Sequence, residues 1–163
     1  MADGLSLYER DFVRWSEEQA HALRSAAESR TNLPLDWENL AEEIDGLGRS
    51  LRSELRNRIA TILEHLFKLS LSRAADPRDG WVETIMRERI EIEALIEESP
   101  SLRSSLPDSL PPAERKARRL AELSLRQHGE WSTEVGQALA SAHFTEAQIL
   151  GSWLPQAEDQ RSS

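Results

Sequence analysis

Apolar residues recur at helical spacing along most of this chain. Tyr8, Phe12, Trp15, Leu23 and Ala26 fall on one face of a segment from about Leu7 to Ser29, with Gln19 among them. "RTNLPLD" then breaks the pattern at Asn32 and Pro34. The next stripe is the longest. Leu40, Ile44, Leu47, Leu51, Leu55, Ile59, Ile62 and Leu66 advance in steps of three and four. It crosses Gly46 and Gly48 without losing phase. A glycine inside a helix costs about 1 kcal/mol relative to alanine, and a break would normally reset the phase. The pattern therefore predicts one helix from Trp37 to about Ser72, about 54 Å long, whose glycines allow a close backbone approach or a bend. Asp36 is placed to cap its start, Leu35 and Leu40 to staple it, and Glu38 to meet the positive end of the helix dipole. Much of the acidity in "DWENLAEEID" is thus helix-start chemistry.

After "SRAADPRDG" a third helix is predicted from about Gly80 to Glu98, with Trp81, Ile85, Ile92, Leu95 and Ile96 inward. Ser99 and Pro100 suit the N-cap and first position of a short turn, "SPSLRSSL". "PDSLPP" reads as a linker, and a fourth helix runs from about Pro112 to Gln127, its "ERKARR" segment exposed, before Gly129 interrupts. Thr133 to Ala142 reads as helical. Thr145 with Gln148 forms a capping box and Phe144 with Ile149 a staple for a short helix ending at Gly151. "QAEDQRSS" reads as a frayed tail. No stretch alternates long enough for a strand. The expected fold is all-α: a helical bundle of four main helices around one long central helix, with a short C-terminal helical extension. Residues 1–163 are read as a single domain, with a core over about 7–128 and an accessory helical tail over about 129–155.

Charge narrows the partners. Twenty basic residues stand against 29 acidic ones, a net charge of −9. That opposes binding to nucleic acid, where affinity comes mainly from neutralising phosphates. The acidic surplus is spread along the chain and supports solubility. The absence of cysteine excludes disulfides, thiolate nucleophiles and Cys-ligated metals, and suits a reducing compartment. No apolar run approaches the roughly 20 residues that span a bilayer, and "MADGLSLYERDF" lacks the form of a secretory signal. A cytoplasmic protein without nucleic-acid or membrane partners is expected.

Candidate chemistry lies where polar residues interrupt apolar faces. Glu54, Arg58, Thr61, His65 and Lys68 step by four, three, four and three along the long helix. Glu88 lies between Ile85 and Ile92, and Gln19 between Trp15 and Leu23. Unpaired buried charges are costly, so these groups should meet. Three readings follow: an internal network, such as Glu88 with Arg58 or His65, that fixes helix register; the lining of an inter-helix pocket; or simple surface exposure after some helix rotation. A di-metal bundle site needs two Glu-x-x-His pairs. The chain has one, Glu18 with His21. A single match among so many glutamates is expected by chance; a mononuclear site using His65, Glu88 and one more ligand is the remaining metal alternative, and no metal or cofactor is assigned. Ser70, Ser72 and His65 come without a nucleophile-elbow motif, and "GLGRS" lacks the ending of a phosphate loop. Glu42 and Glu43 suit surface pairs with arginines of a neighbouring helix. Of the five tryptophans, Trp15, Trp37 and Trp81 fit core or core-edge positions, whereas Trp131 and Trp153 lie in the tail.

Five blocks occur in order: "YERDFVRWSEEQAHALR", "LDWENLAEEIDGLGRS", "LEHLFKL", "GWVETIMRERIEIEALIEESPSL" and "ARRLA". Over roughly Tyr8 to Ala121 the chain thereby resembles the bacterial family labelled domain of unknown function 29. That resemblance implies an all-helical bundle and brings no activity with it. The "TEAQIL" segment departs from the family's usual "T-x-E-Q-L-L"-like helix. The reading favoured is a protein-interaction or scaffold module, or a self-associating one, rather than an enzyme. The alternative is an enzyme or small-ligand binder using Arg58, His65 and Glu88, with Lys68 at the rim.

Overall fold

Asp11 divides the first predicted helix in two. A computed structural model, which describes residues 5–29 and 32–156, shows α1 at Leu7–Arg10 and α2 at Phe12–Glu28. Ser6 and Glu9 form a capping box at the start of α1. Asp11 is extended, ends α1, and caps α2 by accepting from the Arg14 amide at 3.0 Å. The same carboxylate accepts from the Ser101 amide and hydroxyl, each at 2.8 Å. With the backbone at Asp11 extended, one carboxylate meets all three donors. That overrides the continuous periodicity on either side.

The long helix is present as α3, Trp37–Leu71, and Asp36 caps it by accepting from the Asn39 amide at 3.2 Å. Then follow α4 (Arg78–Glu98), a 3-10 turn (Pro100–Ser105), α5 (Leu106–Gln127), α6 (Thr133–Ser141) and α7 (Glu146–Leu150). The described residues form no strand. The "PDSLPP" segment is not a linker: α5 runs through Pro111 and Pro112. Each proline removes a backbone hydrogen bond, but burial of Leu106, Ser109 and Ala113 on one face holds the turns around them. Ser99 stands at the N-cap of the 3-10 turn with Pro100 at its start, but its side chain makes no cap bond. Its hydroxyl accepts from the Val13 amide at 3.3 Å. The "QAEDQRSS" expectation lies, beyond Gln156, outside the described residues.

Contacts group the chain into two compact units, Met1–Leu55 with Glu93–Pro107, and Arg56–Ile92 with Asp108–Ser163; α3, α4 and α5 contribute residues to both. In the first unit the facing of the helices departs from the stripe of large residues. Val13, Ser16 and Ala20 of α2 are buried, as are Ala41 and Gly48 of α3. Tyr8, Leu40 and Leu47 are exposed, and so is Leu35, so no buried staple forms with Leu40. The reason is a contact between small residues. A Cβ on Gly48 would lie 2.5 Å from Ser16 Oγ and 3.7 Å from the Val13 carbonyl oxygen. Tyr8, Phe12 and Trp15 pack on one another instead, with ring centroids 4.9–5.6 Å apart. The acids of the α3 start are tied by arginines: Arg24 meets Glu42 and Asp45 at 3.4 Å, and Arg49 meets them at 2.5 and 3.0 Å.

In the second unit the stripe does face inward. Ile59, Ile62, Leu63, Leu66 and Phe67 of α3 are buried, with Ile85 and Ile92 of α4. Ala113, Ala117, Ala121 and Leu125 give α5 a buried row at every fourth position. Gly129, at φ 71°, ends α5 in a Schellman motif: the Glu130 amide bonds the Leu125 carbonyl at 2.8 Å and the Gly129 amide bonds Arg126 at 3.2 Å. The Thr145–Gln148 capping box starts α7, where Phe144 and Ile149 are buried.

Candidate functional site

Three of the predicted seam residues lie along the α3 portion of the second unit, at steps of seven and three: Arg58, His65 and Lys68. Opposite them on α4 are Glu88 and Trp81. Arg58 donates to Glu88 at 3.0 Å and lies 3.5 Å from Glu91. The Arg58 and Glu88 side chains are 24 % and 19 % exposed, so this pair stands partly out of water. His65 Nδ1–H donates to the Thr61 carbonyl one turn back, at 2.8 Å, which leaves Nε2 as the unprotonated nitrogen of the neutral ring. Burial pushes the His65 imidazole below its ordinary value, and the Lys68 charge acts in the same direction. The bond to Thr61 and the carboxylates of Glu64 and Glu88 oppose the shift.

Lys68 closes the row. It is buried, 7 % exposed, and its ammonium donates to Glu64 at 3.2 Å and lies 5.1 Å from the centre of the Trp81 ring. Glu64 is a partner that the sequence reading passed over. Its i,i−4 spacing to Lys68 was the available signal. Lys68 also lines a cleft of about 510 Å³ with Trp81, Ser124, Leu125, His128 and Glu130. Arg58, His65 and Glu88 are not part of that lining. His128 repeats the His65 arrangement, donating from Nδ1 to the Ser124 carbonyl at 2.8 Å. Glu130 accepts from the Ser72 hydroxyl and the Arg73 amide, both at 2.8 Å, and so ties down the chain leaving α3.

The remaining two predicted residues are Gln19 and Glu54. Gln19 is exposed on α2, because the contact around Ser16 rotates that helix. Glu54 is half-buried in the first unit. Glu18 is paired with Arg14 at 3.0 Å and His21 is exposed. Among the described residues no three His, Asp or Glu side chains are gathered around a common point for a metal ion.

Two arginines have roles that sequence reading did not find. Arg89 is buried and donates to the carbonyls of Gln148, Ile149 and Trp153 at 2.8–2.9 Å. Arg118, within "ERKARR", is half-buried rather than solvated. It donates to the Leu139 and Ala142 carbonyls, pairs with Glu114, and lies 4.9 Å from the Phe67 ring. Each places a cation at the negative C-terminal end of a short helix. Every deeply buried side-chain nitrogen or oxygen among the described residues has a hydrogen-bond partner. No described helix is long and apolar enough to cross a membrane.

Residues 7–152 match the family described as domain of unknown function DUF29. The fold is similar to the crystal structure of an alpha-helical protein of unknown function from Rhodospirillum rubrum, at TM-score 0.70 and 23 % identity over 91 % of each chain. That likeness concerns the all-helical fold. No curated protein matches the chain in sequence.

Proposed function

The chain belongs to the DUF29 family, and we propose that this member is a docking module that recognises a protein partner without catalysis. The observation that carries the reading is the outward face of α4. Val82, Met86 and Ile90 lie at i, i+4 and i+8, and Met86 and Ile90 are 55 % and 64 % exposed. They line a shallow groove with Asp79, Glu83 and Arg87. An apolar row at that spacing is what an amphipathic helix lies against. The occupant we assign is a helical segment with basic residues beside its apolar face. Asp79 flanks the row, Glu83 beside it is paired with Arg87 at 2.6 Å, and the chain carries nine net negative charges. The paired seam supports the non-catalytic half of the reading: Arg58 is held by Glu88, and His65 by the backbone.

The test is fluorescence anisotropy with two labelled synthetic helices, one of Lys and Leu and one of Glu and Leu. The Lys/Leu helix should bind saturably, more weakly at higher salt, and at least tenfold more weakly to Ile90→Glu. The Glu/Leu helix should not bind. Equal binding of both helices, or binding untouched by Ile90→Glu, would overturn the proposal. So would a dimer in sedimentation that Ile90→Glu dissociates, since the face would then belong to a second copy.

A further inference from the structure

The cleft beside Lys68 goes beyond this reading, because its lining comes mainly from α3, α5 and the chain that follows each, with Trp81 alone from α4, and it has a different chemistry. We propose that it is a binding site for a small monoanion, a carboxylate carried on a flat or apolar body. Its size, about 510 Å³, is that of a small-ligand pocket. Its walls combine an apolar surface, from Trp81 and Leu125, with a few converging polar groups. The cation is built into the fold rather than borne on the surface. Lys68 sits in the last turn of α3 and is 7 % exposed. An ammonium has three N–H donors. One is spent on Glu64 at 3.2 Å, a carboxylate of the same helix, which leaves donors for the cleft. The Trp81 ring, 5.1 Å from the ammonium, offers the adjoining surface to an aromatic or aliphatic body.

Charge selects a monoanion over a phosphate. Lys68 is accompanied on the cleft wall by Glu130, and its own partner is Glu64, so no cluster of cations meets a dianion. The Glu130 carboxylate is engaged by Ser72 and Arg73 and does not neutralise Lys68. His128, whose Nδ1 is bound to the Ser124 carbonyl, turns its second nitrogen into a donor only when protonated. Lys68 is therefore the anion-recognising group of the cleft.

The probes are benzoate, benzyl alcohol as its neutral counterpart, and inorganic phosphate. Binding is followed through the indole N–H signals in ¹⁵N-edited NMR, with the Trp81 signal assigned from Trp81→Phe. Benzoate should shift that signal saturably with a Kd of about 1 mM, as suits a ligand of its size. Benzyl alcohol should bind about tenfold more weakly, and phosphate should give no saturable shift. In Lys68→Met the preference for benzoate over benzyl alcohol should vanish. If Lys68→Met fails to fold, Ser124→Phe, which fills the cleft from α5 and leaves Lys68 in place, should abolish benzoate binding. The proposal is overturned if benzoate gives no saturable shift at Trp81. Equal affinity for benzoate and benzyl alcohol in the wild type, or benzoate binding that survives Ser124→Phe, would also overturn it.

Discussion

Gly46 and Gly48 lie two residues apart in α3, and replacing each by alanine should change stability in opposite directions. Both substitutions gain about 1 kcal/mol of intrinsic helix preference. At Gly46 nothing opposes the gain, since the nearest neighbour of a new Cβ is the Arg49 guanidinium at 3.6 Å, an ordinary contact. At Gly48 the Cβ would stand 2.5 Å from Ser16 Oγ, a fully buried hydroxyl that donates to the Val13 carbonyl at 2.8 Å. If the hydroxyl swings away, that bond is lost in a buried place, at about 1–3 kcal/mol. If the helices separate instead, overpacking costs a similar 1–3 kcal/mol or so. Gly46→Ala should therefore stabilise by about 1 kcal/mol, and Gly48→Ala should destabilise by about 0–2 kcal/mol. Removing the obstructing atom with Ser16→Ala leaves the nearest contacts at 3.7–3.8 Å. In that background Gly48→Ala should stabilise. Urea unfolding followed by circular dichroism reads all four variants, provided m is unchanged. The packing argument is refuted if Gly48→Ala stabilises the wild type as much as Gly46→Ala does.

Two further predictions concern the seam. Arg58 and Glu88 are neither fully exposed nor fully buried, so their pair lies between the two regimes. Arg58→Ala should cost about 1–3 kcal/mol, most of it absent in a Glu88→Ala background. A cycle with no coupling in chemical denaturation would show that the pair does not hold the helices. His65 has a lower pKa folded than unfolded, its burial being the main cause. Below about pH 6.5 the unfolded chain therefore binds more protons, and stability falls as pH drops from there towards the folded value. His65→Gln should flatten that slope, by at most about 1.4 kcal/mol per pH unit. An unchanged slope between about pH 5 and about pH 7 would assign the acid sensitivity to other groups.

Helix placement was legible where one local rule sufficed. The unbroken stripe from Leu40 to Leu66 located α3, and the Thr145–Gln148 pair located the start of α7. Facing was legible only where large residues do the packing. In the second unit Ile59, Ile62 and Leu66 are inside, as their spacing requires. In the first unit, absence decides. Gly48 admits the backbone of α2 at Val13, and Leu40 and Leu47 are left outside. Hydrophobic spacing carries no record of such a contact, because the residue that makes it has no side chain to count. Asp11 shows a second limit: its partners at Ser101 are ninety residues away, and a helix break fixed at that range leaves no trace in local periodicity. The same holds for Arg89, whose acceptors are backbone carbonyls of α7 and the chain after it rather than any acidic side chain.

Why the seam and the cleft part company follows from the two cations. A guanidinium offers five N–H donors in a fixed plane and suits bidentate or shared carboxylates; Arg58 meets Glu88 and Glu91 and is used up between helix faces. An ammonium is a point charge with three rotatable donors, and Lys68 spends one of them on its own helix. Had the two residues been exchanged, the fork at position 68 would have sought a second carboxylate, and the cleft would have lost its donor. The same logic separates the two proposed surfaces of α4. Trp81, Ile85 and Glu88 turn inward while Val82, Met86 and Ile90 turn outward. Ile85 and Ile92, both nearly inaccessible, anchor the helix between them. A ligand against Trp81 and a helix against Met86 thus touch opposite sides of one fixed rod. They share free energy only to the extent that either displaces it, and with both isoleucines seated each surface is set by its own residues.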